Sequence, residues 1–407
     1  MAQASLFQQI LDPTNRANPY PLYAELRKTP VTREADGTYV VSTYDEIVAL
    51  LHDPRVSSDP RKHPRLTGED ESSALLLPFI GLDPPDHDRL RELAMRPFGP
   101  PHTPARIEAL RPWLTKVTND LIDGFAGKNR IDAVEEFTYP LPVTAICHLL
   151  GVPREDEPRF HLWADATVET IDPTTGTFEE RQRRRTQLRR ELGEYFNTLA
   201  DARALHPGDD LISGMLTDAG PHGPMSRADV LNTASLLLIA GHETTVNLVA
   251  NGILTLLRHP DTLERLRREP HLVTPLVEEL LRYEPPVHML TSRSTLADID
   301  LAGTTIPQGS PLTLVLAAGS RDPNRFTNPD RFDPDRTDNA HLGFGSGIHY
   351  CYGAPLARVE TQVALSALAH RLVNPRLVAE PPPYRPNPAL RGPRHLPIEF
   401  DAIAPTR

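Results

Sequence analysis

Gly343-Phe344-Gly345-Ser346-Gly347-Ile348-His349-Tyr350-Cys351-Tyr352-Gly353 (GFGSGIHYCYG) is the stretch on which the reading of this chain turns. Its glycines permit tight backbone approach and positive φ, so the loop can press flat against a ligand. A helical pattern, LARVETQVALSALAHRL, follows from about Cys351. Unpaired N–H groups and the helix dipole there favour a negative sulfur. A thiolate held this way suits a soft or redox-active metal, and haem iron with one thiolate is the outstanding case. His349 is placed to turn its ring toward a haem propionate. Other readings fit less well. A dinucleotide fingerprint needs its third glycine where Tyr350 stands, and no βαβ unit surrounds it. A polar Gly/His loop is a poor site for a merely structural cysteine. Zinc needs clustered Cys or His at ligand spacing, and covalent haem attachment needs C-x-x-C-H; neither occurs. Cys147, in LPVTAICHLLG, reads instead as a core cysteine on an apolar helix.

Working outward, Arg227 to Leu257 is the longest periodic segment and is apolar almost all round, so it is expected to cross the interior. Ala240-Gly241-His242-Glu243-Thr244-Thr245 interrupts it with polar groups, which are costly when buried unless satisfied. A zinc-protease H-E-x-x-H fails because Val246 holds the second histidine's place. Oxygen chemistry accounts for the segment. Gly241 leaves a groove for O2, Thr244 offers a hydrogen bond to it, and Glu243 with ordered water relays protons. A helix kink with threonine back-bonding to the preceding turn accounts for it as well, and on this segment alone both readings stand.

The loop resembles the haem-binding signature of cytochromes P450, F-x-x-G-x-[H/R]-x-C-x-G, through Phe344, Gly347, His349, Cys351 and Gly353. AGHETT is similar to that family's I-helix motif, [A/G]-G-x-[D/E]-T-[T/S]. Three further segments resemble the family in the correct order. Asp86-His87-Asp88-Arg89-Leu90-Arg91 matches the C-helix H-x-x-x-R. Glu279-Leu280-Leu281-Arg282, followed by Tyr-Glu-Pro-Pro, matches the K-helix E-x-x-R. Pro329-Asp330-Arg331-Phe332 matches the meander. The resemblance runs from about Pro19 to Phe400. It implies a mainly α fold with minor β: a triangular helical bundle with small sheets, and haem b between the long central helix and the C-terminal Cys-loop helix. It implies Cys351 as the iron's axial ligand. Phe344, Gly345, Gly353 and Ala240 would lie against the cofactor, with His87, Arg91, Arg293 and His349 toward the propionates. Glu279, Arg282 and Arg331 would form a structural triad behind the haem.

The activity so implied is a monooxygenase inserting one atom of O2 into a C–H or C=C bond of a lipophilic organic molecule. A polyketide, macrolide or terpenoid secondary metabolite is the expected substrate. A haem-thiolate peroxygenase or carbon–carbon coupling enzyme is the rival within the fold, and a haem-based gas sensor or ligand carrier the rival outside enzymes. Family position puts the 60–80 loop, a 158–195 helical lid and residues 287–290 around the substrate. Leu75, Leu76, Leu77, Leu236, Ile239, Ala240, Val287, Met289 and Leu290 then make an apolar pocket. The arginine run from Glu180 reads as a solvated helix face, with a grip on an acidic substrate group as the alternative. No flavin or iron–sulfur motif is present, so electrons are expected from a ferredoxin or flavodoxin docking over the Cys351 face.

Bulk properties agree. The formal charge of −11 argues against nucleic acid, which requires a concentrated basic surface. The N-terminus lacks the pattern of a signal peptide or anchor, and no apolar run reaches membrane-spanning length, so a cytoplasmic location is expected. A monomer is expected as well. The 43 prolines are spread between periodic segments, which suggests ordered loops within a single domain, 1–407, with 1–18 as an irregular extension. Helices are expected at 19–29, 44–52, 87–97, 104–126, 140–150, 158–170, 178–204, 227–257 and 275–283. Strands are expected at 38–43, 299–301, 304–306 and 312–317.

Overall fold

The computed structural model describes residues 4–62, 77–171, 176–218, 220–221 and 223–406. In chain order the N-terminal part holds α1 (Leu6–Leu11), α2 (Tyr20–Leu26), β1 (Val31–Arg33), β2 (Tyr39–Val41), α3 (Tyr44–His52) and β3 (Val56–Ser57). A helical body follows: α4 (Asp86–Phe98), α5 (Arg106–Ala109), α6 (Arg111–Asp123), β4 (Arg130–Asp132), α7 (Pro140–Leu150), α8 (Glu157–Ile171), α9 (Phe178–Leu205) and α10 (Leu211–Thr217). Next come α11 (Arg227–Arg258), α12 (Pro260–Arg268) and α13 (Val273–Tyr283). The C-terminal part has β5 (Leu290–Thr295), β6 (Ile299–Leu301), β7 (Thr304–Ile306), β8 (Pro311–Leu314), α14 (Leu316–Gly319) and α15 (Ala354–Arg371). It ends in β9 (Leu372–Val373), β10 (Arg376–Leu377), β11 (Pro397–Glu399) and β12 (Ala402–Ile403).

Local chemistry sets the helix ends. Ser226 caps α11 by accepting from the Asp229 N–H, and Thr177 and Glu180 form a reciprocal capping box on α9. The expected 104–126 helix is two helices. Pro112 has no N–H for the Glu108 carbonyl, so α5 stops and α6 restarts with that proline in its first turn. The expected irregular N-terminus instead carries α1, capped by Ser5, with Phe7 and Ile10 buried. The 312–317 strand ends at Leu314, where the chain turns into α14. The last helix begins at Ala354, three residues after Cys351, leaving the cysteine in loop backbone.

A five-stranded sheet runs β1-β2-β8-β5-β3. Its β2–β8 pair is parallel, Tyr39 opposite Leu312, and the remaining pairs are antiparallel. A three-stranded sheet, β10-β11-β4, and two small ladders complete the β portion. The main apolar core lies among the helices, and α11 passes through it with Val246 to Leu256 buried on nearly every side. Among the described residues, no helix is long and apolar enough to cross a membrane.

Candidate active site

Backbone and side chains both hold the Cys351 loop, and Ser346 Oγ meets His52 Nε2 at 2.8 Å. The Cys351 N–H donates to the Phe344 carbonyl at 2.9 Å. Gly345 and Gly347 both have φ of +69°. A Cβ on Gly347 would stand 2.1 Å from the Leu51 carbonyl oxygen, so glycine alone lets the loop close onto the end of α3. A Cβ on Gly345 or Gly353 would meet nothing within 4 Å, which leaves the loop surface flat and open. Burial pushes the Cys351 thiol up, against the Gly353 and Ala354 amides and the Arg91 and Arg358 guanidinium groups, which favour the thiolate. Cys147 is fully buried in the helical core, its thiol pushed up by the same desolvation, and it has no link to the site.

Facing the loop across a cavity of about 240 Å³, partly open to solvent, is one stripe of α11. Leu236, Leu237, Ala240, Gly241, Thr244 and Leu248 follow the 3.6-residue period. A Cβ at Gly241 would touch only Ile146, at 3.8 Å. The Thr244 hydroxyl donates to the Ala240 carbonyl at 2.8 Å, so the back-bonding contact exists and the oxygen lone pairs remain for the cavity. Glu243 is not on this stripe. It is buried beside Arg385, with Nε 3.1 Å from its Oε1, and accepts from Asn247 Nδ2 at 3.1 Å. His242 is also buried, edge-on to Tyr139, and burial lowers its pKa to about 3.

At one side of the cavity His87, Arg91, Arg293 and His349 converge. The two imidazoles lie 4.4 Å apart. His349 Nε2 meets the Ser58 hydroxyl at 2.8 Å, while its Nδ1 and His87 Nε2 are buried without a hydrogen-bond partner. Arg91 donates to the Tyr350 carbonyl, and Arg293 is buried at the cavity wall. Burial first, then the charges of Arg293, His87 and Arg91, lower the His349 pKa to about 3. Concentrated positive charge and orphaned ring nitrogens beside a flat apolar slot fit a planar dianion with carboxylate arms.

Behind the loop, Glu279 and Arg282 make two hydrogen bonds of 2.8 Å, both side chains fully buried. Arg331 does not complete this triad. Its side chain is 70% exposed and only its carbonyl accepts from Arg282. Arg336 takes the place, 3.3 Å from Glu279 and 10% exposed. In N-P-D-R-F-D-P-D-R the buried Phe332 turns its neighbour Arg331 to solvent, and two turns of chain bring the second arginine back.

The pocket expectations divide. Leu236, Ala240, Val287 and Leu290 line the cavity. Met289 does not: it packs with Phe7, Ile10 and Tyr20, on the side opposite its neighbour Leu290. Ile239 sits off the α11 stripe and packs on the core, as does Leu77, near Gly81. Leu75 and Leu76 lie outside the described residues. Phe79, Ile80, Phe98 and Tyr352 line the cavity unannounced. The only signal for the first two was their position ahead of the His87 motif.

Residues 36–386 match the Cytochrome P450 family. PikC, a cytochrome P450 monooxygenase of Streptomyces venezuelae, is 41% identical over 94% of this chain and 91% of its own length. The 6-deoxyerythronolide B hydroxylase of Saccharopolyspora erythraea is 37% identical over 94% and 96%. Among solved structures, the cytochrome P450 PksS of the Bacillus subtilis bacillaene polyketide synthase superposes with a TM-score of 0.88. It is 32% identical and covers 96% of this chain and 99% of that one. The chain belongs to the cytochrome P450 family and is a haem b-binding P450 monooxygenase. The slot between Ala240 and the Cys351 loop fits that cofactor. With it bound, Cys351 would be the donor toward its iron, and His87, Arg91, Arg293 and His349 would face its propionates.

Proposed function

We propose that the enzyme oxidises a neutral, lipophilic molecule of the polyketide or macrolide type, taking electrons from a separate ferredoxin or flavodoxin. The carrying observation is the cavity wall. Phe79, Ile80, Ile146, Leu236, Val287 and Leu290 enclose it, and among the described residues no carboxylate side chain lines it. Such a wall rewards apolar burial at about 25 cal/mol per Å² and offers an ammonium group no partner. PikC and 6-deoxyerythronolide B hydroxylase support the class through family membership.

Bound haem supplies reductive activation of O2, with the overall balance R–H + O2 + 2e⁻ + 2H⁺ giving R–OH and H2O. The chain supplies the rest. Cys351 presents sulfur under two backbone N–H groups. Gly241 leaves room opposite the loop. Thr244 holds its oxygen at the cavity edge, and Glu243 handles protons one residue away. Ile348 and Tyr350 stand exposed on the far side of the loop and give an electron-carrier protein apolar contacts close to the sulfur.

The test starts with the carbon monoxide difference spectrum of reduced protein. A red-shifted Soret band is expected, and Cys351→Ser is expected to lose it. Titration with neutral macrolactones, amine-bearing macrolides and fatty acids then reads substrate preference from the Soret shift. Tightest binding by the amine-bearing or acidic set would reject the neutral-substrate reading.

A further inference from the structure

His349 stands where the Cys-loop pattern accepts histidine or arginine. The two are not equivalent as donors. A guanidinium offers N–H groups whatever its surroundings, whereas a neutral imidazole has one donor and one acceptor, and a partner decides which nitrogen is which. Here that partner is Ser58. Its hydroxyl lies 2.8 Å from His349 Nε2 and, among the described residues, meets no other polar group.

Ser58 is buried and held in place by its neighbours. The antiparallel pairing of β3 with β5 sets Ser57 opposite Ser294, and the same register continued by one residue puts Ser58 level with Arg293. Asp83 fixes the turn that follows, accepting from the Ser58 N–H at 2.9 Å, the Ser57 hydroxyl at 2.6 Å and Lys62 Nζ at 2.7 Å. The Cys351 loop, closed onto Leu51 at Gly347, brings the His349 ring to this turn.

His349 lines the cavity, and its Nδ1 is buried without a partner. Two tautomers satisfy the Ser58 contact. With the proton on Nε2 the serine accepts, and Nδ1 is a bare lone pair that repels a carboxylate. With the proton on Nδ1 the serine donates, and the ring keeps an N–H to offer. His87 cannot take over this task while neutral, because its Nδ1 donates to Asp88 Oδ1 at 2.7 Å and leaves Nε2 an acceptor.

We infer that Ser58 is a positioning residue for the cofactor: its hydroxyl donates to His349 Nε2, fixes the imidazole proton on Nδ1, and so gives the propionate side of the cavity a hydrogen-bond donor. The inference rests on the placement of the haem propionates at this cluster.

The experiment uses the holoenzyme with Ser58→Ala, Ser58→Thr, His349→Ala, His349→Arg and the Ser58→Ala/His349→Arg double variant. Readouts are the nitrogen-15 NMR pattern of the imidazoles in the diamagnetic reduced carbon monoxide complex, haem transfer to apomyoglobin, and the haem midpoint potential. The His349 signals are assigned by difference from His349→Arg. Wild type is expected to carry its proton on Nδ1. Ser58→Ala should speed haem transfer three- to tenfold. It should also lower the potential, because a propionate short of a donor keeps more of its charge and favours ferric iron. Ser58→Thr should match wild type, and Ser58→Ala should change nothing further in the His349→Arg background. A wild-type proton on Nε2 or on both nitrogens would overturn the inference. So would Ser58→Ala with wild-type haem transfer and potential, or an effect of equal size in both backgrounds. His349→Ala with wild-type haem transfer would instead reject the propionate placement beneath it. If Ser58→Ala failed to fold, the wild-type tautomer and Ser58→Thr would decide.

Discussion

At the scale of single residues, the arginines of the meander separate two kinds of interaction that look alike in sequence. Arg336 reaches a fully buried carboxylate that also accepts from Arg282, the Asp333 N–H and Asn339. Arg331 sits in water, 4.0 Å from Asp333. Removing one member of a buried charge network costs about 3–5 kcal/mol, whereas exposed pairs contribute about 0–1. Arg336→Ala is therefore expected to lower the denaturation midpoint sharply, and Arg331→Ala to change stability by no more than about 0.5 kcal/mol. Urea melts of the two proteins side by side decide it, and equal losses would reject the assignment. The case also shows what sequence could not give. Glu279 and Arg282 were legible because three-residue spacing on a helix places them together, while no periodicity governs the meander. Glu243 was legible as a buried acid, but its orientation depends on an arginine from the far C-terminal loop.

At the scale of elements, α11 has two glycines with opposite reasons. A Cβ at Gly241 meets ordinary contact distance and cavity space. A Cβ at Gly252 would fall 3.0 Å from Leu365 and 3.1 Å from Leu280, where α11 crosses α15 and α13. Gly241→Ala should leave the fold intact or stabilise it by up to about 1 kcal/mol through helix propensity. Gly252→Ala should destabilise by about 1–3 kcal/mol through overpacking. Thermal melts that reversed this order would show the crossing to be loose. The α13–α15 contact also carries a charged clasp, Glu278 with Arg358 at 2.7 and 2.9 Å and with His341 at 3.2 Å. Burial opposes ionisation of Glu278, but these donors outweigh it and bring its pKa down to about 2. A carboxylate depressed on folding stabilises above its unfolded pKa, and that gain fades as pH falls from about 4.5 toward 2. Wild type should exceed Glu278→Gln by about 1–2 kcal/mol at neutral pH, and the gap should close by pH 2. A gap independent of pH would mean the clasp acts through packing alone. Element ends were the less legible part: the Pro112 break and the capped α1 follow local chemistry that a periodicity window averages away.

At the scale of the whole molecule, the cofactor slot is assembled from pieces distant in sequence: α4, the middle of α11, the segment entering β5, and the Cys351 loop. Motif order made this architecture readable, because each motif carries atoms that a single flat ligand must touch at once. Side-chain direction within the wall was not, and Met289 shows why: one residue of register decides between cavity and core.

The parallel pairing of β2 with β8 has a consequence for how the chain is made. Tyr39 finds its partner only when Leu312 exists, so a ribosome must emit most of the protein before the five-stranded sheet can join. Until then the edge of β2 that β8 will cover has no partner, and bare strand edges recruit wrong neighbours. Non-local pairing of this sort slows folding, and expression at reduced temperature or with chaperones present should raise the yield of native protein by shielding that edge while synthesis catches up.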